Sequence, residues 1–209
     1  MADSNYKQLI MPNKPLQRYK GIPQNYLLST FSRSTGTFSP IKFKHNIKQG
    51  ESMDLEARIQ RLEDLEEIKQ LKALYCEICD DDHNPDRIVT IFTEDAIWEG
   101  RGIGTATGHG EIRKLFTSFQ SMMDFTQHMT MNPRIEVDGD HASGTWYFFG
   151  PFRFRSPDET PKSAKWQAAR YHEKYQRVDG AWKIKHLKVA QPSMSVDYDK
   201  GWSETLFHK

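Results

Sequence analysis

Apolar residues recur every three or four positions from Leu55 to Ile78 (Leu55, Ile59, Leu62, Leu65, Ile68, Leu71, Leu74, Tyr75, Ile78), with Glu, Arg and Lys between them. That spacing predicts one long amphipathic helix with a single buried stripe. Asp80-Asp81-Asp82-His83-Asn84-Pro85 ends it through its acids and its proline. A second, short helix is expected from Pro85 to about Phe92, with Ile88, Ile91 and Phe92 inward. After Glu94-Asp95 the chain turns into a short strand, Ala96-Ile97-Trp98-Glu99. Gly100, Gly102, Gly104, Gly108 and Gly110 punctuate the next stretch, which matches neither G-x-G-x-x-G after a strand nor G-K-[ST]. It is therefore not a phosphate loop. Ile112, Leu115, Phe116, Phe119 and Met122 predict a third helix over Glu111 to Met123.

Beyond that point the period falls to two. Thr126 to Val137, Ala142 to Arg155, Ala164 to Val178 and Trp182 to Ala190 alternate as strands, with tight turns at Asp138-Gly139 and Asp179-Gly180. Helix, helix, short strand, helix and four long antiparallel strands make an α+β order. A strongly curved sheet wrapped over three helices would enclose a conical cavity. The end, Tyr198 to Lys209, carries Trp202, Leu206 and Phe207, placed to lid that cavity or to meet a neighbouring subunit.

Composition divides the chain. Residues 1–52 hold Lys7, Lys14, Arg18, Lys20, Arg33, Lys42, Lys44 and Lys48 against only Asp3 and Glu51. This basic, hydroxyl-rich segment has the flavour of a transit peptide with a poor amphipathic pattern, and is expected to be a disordered leader that the fold does not need. The domain is expected over 53–209. A formal net charge of +1 gives no reason to expect nucleic acid or an anionic membrane surface as partner. No apolar run reaches the roughly 18 residues of a membrane-spanning helix. Cys76 and Cys79 form a C-x-x-C deep inside a helical pattern with no second pair, so they read as helix packing in a reducing, cytoplasmic setting.

His128 carries the chemistry. It sits in Phe125 to Val137, read as a strand entering a hairpin, and an imidazole is the side chain suited to proton transfer near neutral pH. Parity places Thr126, His128 and Thr130 toward the cavity, with Gln127, Met129 and Met131 toward the helices or a partner subunit. On the next strand Trp146, Phe148, Gly150, Phe152 and Phe154 share a face, and on the one after it Ala169, Tyr171 and Glu173. Aromatic walls suit a flat, apolar ring, and Gly150 among them hints at room for a ligand. His83 beside the three aspartates reads as a solvated helix end rather than a metal site. His172, His186, Lys183, Lys185 and Lys188 read as a solvated face.

In order along the chain come Ile68, Leu71 and Tyr75 leading to Asp80; Asp95-Ala96-Ile97-Trp98; Gly108 to Ile112; His128; and Tyr171, Tyr175, Asp179-Gly180, Trp182. This set, over roughly Leu55 to Lys188, resembles the SnoaL-like branch of the NTF2-like superfamily. The resemblance implies an NTF2-like α+β cone, three N-terminal helices packed in a strongly curved antiparallel sheet. It is nearest to cone-shaped lyases of the scytalone dehydratase, bile acid 7α-dehydratase and hexachlorocyclohexane dehydrochlorinase kind. It implies His128 as general base and acid, with Asp80, or Asp81 one residue on, as its support. Tyr75 and Tyr171 would hydrogen-bond in the pocket, which Trp98, Trp146, Phe148 and Phe152 would help to wall. No cofactor or metal is implied. The substrate would be small, hydrophobic and cyclic, of steroid, polyketide or terpenoid type, and the assembly a homo-oligomer, trimer before dimer.

Two departures are visible. Gly150 or Phe152 stands where those lyases place a second proton-transfer group, and Gly100 where the dehydratases have another tyrosine. A polyketide cyclase, a ketosteroid-type isomerase and a non-catalytic ligand-binding or scaffold protein are the alternative expectations on the same fold.

Overall fold

Helix α1 (Leu55–Asp80) starts at Asp54, whose carboxylate accepts the Ala57 N–H at 2.8 Å and so satisfies one orphan amide of the first turn. The computed structural model describes residues 54–100, 102–155 and 163–200. The leader expected over 1–52, the boundary at 53, and Trp202, Leu206 and Phe207 lie outside the described residues.

The stripe expected along all of α1 is buried only from Asp64 onward, through Ile68, Leu71, Tyr75 and Ile78; Leu55, Ile59 and Leu62 are exposed. A helix of 26 residues is about 39 Å long at 1.5 Å per residue, more than the curled sheet covers. At its far end Asp82 and His83 adopt positive φ (56° and 52°), a left-handed turn that Asp and His tolerate better than most residues. Asn84 then caps α2 (Pro85–Thr90), accepting the Asp86 and Arg87 N–H groups. Phe92, expected to close this helix, instead opens strand β1 (Phe92–Gly100).

Strand β2 (Gly104–Thr107) folds back on β1, and α3 (Gly108–Met122) follows, burying Ile112, Phe116 and Phe119. The remaining strands are β3 (Met123–Thr126), β4 (Met129–Asp138), β5 (His141–Phe154), β6 (Ser163–Val178) and β7 (Ala181–Asp197). They build one seven-stranded sheet in the order β2-β1-β7-β6-β5-β3, with β4 also on β5. All pairings are antiparallel except β1 with β7, which is parallel. Asp179 and Gly180 both have positive φ (51° and 81°), the geometry of a two-residue turn matched to strand twist. The sheet curls over the helices, and Trp98, Tyr171, Tyr175, Trp182, Ile184 and Leu187 meet α1 and α3 in one core. Among the described residues, no helix is long and apolar enough to cross a membrane.

The stretch expected as one strand from Thr126 is interrupted. Gln127 and His128 lie between β3 and β4, which share the edge of β5 end to end. The parity expectation survives the break: Thr126 is buried and Gln127, Met129 and Met131 are exposed. Their exposure corrects the expectation that these three face the helices and leaves the partner-subunit alternative.

Candidate functional site

The break between β3 and β4 leaves the backbone N–H of His128 outside the sheet ladder, and one carboxylate takes it together with the ring. Asp80, the last residue of α1, accepts the backbone N–H of His128 at 2.9 and 3.0 Å. It also lies 2.6 Å from Nδ1 of the same ring. The Thr126 hydroxyl donates to the Cys79 carbonyl at 3.0 Å and lies 3.2 Å from the Asp80 carboxylate, tying the break to the helix end. With its proton on Nδ1 facing Asp80, the ring presents the Nε2 lone pair. Asp81, the other candidate partner, pairs instead with Arg87 at 2.7 Å. Asp82 lies against Gln120 and Arg155. The three aspartates therefore diverge.

Gly150 does not leave room for a ligand, contrary to expectation. A Cβ there would stand 1.7 Å from the Gln127 carbonyl oxygen, so the space is filled by the backbone that carries His128. Only glycine allows that approach. Gly150→Ala must push residues 127–128 off β5 and away from Asp80. The expected cost is about 1–3 kcal/mol, seen as a lower melting temperature together with loss of the downfield imidazole N–H signal. A variant that melts with the wild type and keeps that signal would contradict this packing.

Around His128 the walls are aromatic. Its imidazole stacks on Phe148 (centroids 5.1 Å apart, 29° between planes) and packs on Phe152 at 4.9 Å. A cavity of about 660 Å³ opens beside it, lined by Tyr75, Cys79, His83, Trp98, Phe116 and Tyr171 among others. That is enough for a small multi-ring molecule. Tyr75 accepts from Trp98 Nε1 at 3.3 Å, and Tyr75 and Tyr171 meet edge to face at 6.1 Å. Burial raises both phenols well above their ordinary pKa, so they remain proton donors at neutral pH. Gly100 leaves the space that the Trp98 indole occupies. Trp146, expected on the wall, is not part of it: its Nε1 donates to the Tyr175 hydroxyl at 2.9 Å, deeper in the core.

The His128 side chain is 6% exposed. Burial lowers its pKa below the ordinary 6.5, while the hydrogen bond and charge of Asp80 oppose that shift. The neutral, proton-accepting form therefore prevails at neutral pH.

Two features are not apparent from sequence pattern alone. His83, expected in solvent, is 4% exposed and sits among Phe116, Phe119 and His128, the last at 6.0 Å between ring centroids. The left-handed turn at Asp82-His83 swings it under the cavity. Burial, then the neighbouring His128, lower its pKa from 6.5 to about 4. The unfolded chain binds a proton that the folded one refuses, so stability is full above pH 6.5 and falls as pH drops toward 4. The loss is roughly 3 kcal/mol. Urea melts across that range should show this slope, and His83→Gln, which cannot charge, should lose His83's share of it. An unchanged slope in the variant would refute the assignment.

The second is an ion pair with no exposure. Lys72 Nζ stands 2.5 Å from Glu173 Oε1, and both side chains are fully buried. The other Glu173 oxygen takes the Tyr175 hydroxyl. The ammonium lies 3.5 Å over the Tyr171 ring and 4.3 Å over that of Tyr75, a cation–π arrangement. Spacing puts each residue on an inward face, Lys72 four after Ile68 and three before Tyr75 and Glu173 in the parity of Tyr171, but their pairing across 101 positions is not in the pattern.

Over residues 60–188 the sequence matches the family described as a SnoaL-like domain. No curated protein matches the chain at a significant level. Among solved structures, the chain is similar to a candidate aromatic ring hydroxylase from Novosphingobium aromaticivorans. That match has 26% identity and a TM-score of 0.58, covering 65% of this chain and 94% of the other. It is similar also to a hexachlorocyclohexane dehydrochlorinase, LinA Type2, at 25% identity and TM-score 0.59, over 66% and 93% of the two chains. A candidate scytalone dehydratase from Novosphingobium aromaticivorans shares the fold at 21% identity and TM-score 0.55, over 66% and 88%. The curled sheet and its helices are those of an NTF2-like cone.

Proposed function

Matched across residues 60–188, the chain belongs to the SnoaL-like domain family, and from that premise we propose that it is a cofactor-independent lyase or isomerase acting on a small hydrophobic cyclic substrate. The observation that carries this reading is His128, held by Asp80 at both its backbone and its ring and facing an aromatic cavity. His128 Nε2 removes a proton from carbon beside a carbonyl, and Asp80 stabilises the imidazolium that forms. Tyr75 or Tyr171 donates to the carbonyl oxygen as charge grows on it. Strand β5 lines the cavity with Phe148, Phe152 and Phe154, none of which transfers a proton, and His83 is uncharged at neutral pH. The imidazolium of His128 therefore returns the proton itself. In elimination it goes to the departing hydroxyl, which leaves as water; in isomerisation it goes to another carbon. The solved dehydrochlorinase with which the chain shares 25% identity supports elimination.

The test begins with a thermal-shift screen of cyclic ketones and hydroxylated cyclic compounds, followed by turnover of each hit. His128→Ala should lower turnover by about 10²–10⁴-fold while a hit still raises the melting temperature. Because the active form is neutral and burial lowers the pKa, the acid limb of kcat/KM should lie below pH 6.5. Turnover that His128→Ala leaves intact would end this reading.

A further inference from the structure

We propose that Cys79, His83 and His128 form a divalent transition-metal site of zinc type, with one thiolate and two imidazoles as ligands and a fourth position open to the cavity. Their ligand-type atoms already lie within 4.8 Å of one another. In a tetrahedral site with Zn–S near 2.3 Å and Zn–N near 2.0–2.1 Å, neighbouring ligand atoms are about 3.5 Å apart. The three side chains must therefore close by about an ångström, within reach of small rotations about their own bonds.

The backbone makes the convergence specific. Cys79 lies in the last turn of α1, and the His83 N–H donates to its carbonyl at 3.3 Å, closing the left-handed turn at Asp82-His83 that brings the His83 ring back beside Cys79. His128 approaches from the break between β3 and β4, tied to the same helix end by Thr126 and Asp80. Among the described residues, no hydrogen bond engages the His83 ring or His128 Nε2; aromatic rings pack against both. With Nδ1 of His128 on Asp80, the outward nitrogen is Nε2, the carboxylate–histidine–metal arrangement that raises ligand basicity. One soft and two borderline ligands select zinc-like ions over magnesium or calcium. Burial opposes the Cys79 thiolate, and the Tyr75 hydroxyl hydrogen-bonded to it favours it; Cys76, one turn earlier, meets the Thr130 hydroxyl at 3.6 Å, and its sulfur is not among the converging atoms.

Binding replaces the Cys79 S–H bond with an S–metal bond and releases that proton to solvent, while both imidazoles bind through lone pairs. Nothing is oxidised or reduced. The metal occupies Nε2, the lone pair that the proposed function gives to a base, so a metal-loaded chain and a base-competent chain are alternative states. Only that consequence rests on the functional reading.

The experiment titrates Co²⁺ into the full chain, free of any polyhistidine tag, and needs no substrate. Wild type should bind one ion, with a thiolate-to-cobalt charge-transfer band, intense four-coordinate visible bands and one proton released. Cys79→Ser should lose the charge-transfer band. His83→Ala should bind at least tenfold more weakly, and Asp80→Asn about 10–100-fold more weakly. His172→Ala, at an exposed position, should match wild type. Circular dichroism checks that each variant is folded; if Cys79→Ser is not, Cys79→Ala takes its place and the wild-type band and proton count still decide. A wild type without the band overturns the site. So does a band that survives loss of Cys79, or affinity unchanged in His83→Ala. None of these outcomes touches the turnover assays, so the site and the lyase reading fail separately.

Discussion

Asp80→Asn lowers turnover by about 10²–10⁴-fold while the protein stays folded. The reason lies in the two N–H groups that the carboxylate accepts, one from the backbone of His128 and one from its ring. An amide offers one oxygen and one NH₂ group in their place. If the oxygen keeps the backbone N–H, the NH₂ faces Nδ1, drives the ring proton to Nε2 and removes the lone pair that acts as base. If the oxygen stands where Oδ1 does, it keeps both the ring at 2.6 Å and the backbone N–H at 3.0 Å, but NH₂ replaces the acceptor that meets that N–H at 2.9 Å. Either arrangement removes the carboxylate charge that stabilises the imidazolium. Turnover of a substrate found in the screen, measured with melting temperature on the same samples, separates the two. A variant within threefold of wild type would remove Asp80 from the mechanism.

Glu173→Leu lowers stability by about 3–5 kcal/mol, roughly a 6–20 °C fall in melting temperature for a chain of this size. It leaves the Lys72 ammonium without its anion at a position of no exposure, and the Tyr175 hydroxyl without its acceptor. Lys72→Met strands the carboxylate in the same way. The double variant Lys72→Met/Glu173→Leu should recover most of the loss, because an apolar pair carries no desolvation penalty. Chemical denaturation of the three variants checks the cycle. If either single variant costs under 1 kcal/mol, the pair is not dry. The double variant also informs function: folded but poor at turnover, it would assign the pair to holding Tyr75 and Tyr171 in place.

The two predictions probe links of very different legibility. The stripe along α1, the glycine-bearing turn at Asp179-Gly180 and the change of period after residue 123 depend on residues within a few positions of one another. Local backbone preference and side-chain parity are properties of the chain itself, so the three helices, the α+β class and the inward faces of β5 and β6 are legible in the residues alone, whereas strand β2 and the break that separates β3 from β4 are not. The ordered family residues add the cone and the pairing of His128 with the end of α1.

Contacts across large separations are decided elsewhere. His128 meets Asp80 across 48 positions and Lys72 meets Glu173 across 101. Whether such groups touch depends on how sharply the sheet curls and where a loop reverses. Gly150 illustrates this: its inward parity is as expected and its purpose is not, because only the fold shows the Gln127 carbonyl in the space. Trp146 faces inward yet misses the cavity, and Leu55, Ile59 and Leu62 keep the helical spacing yet are exposed. His83 has the pattern of a polar helix end, yet two left-handed residues turn it beneath the cavity. The sequence by itself determined the period and parity of each element, since these are local; the tertiary structure alone decided which of those faces are covered and what each side chain meets there, since burial and pairing belong to the packed whole.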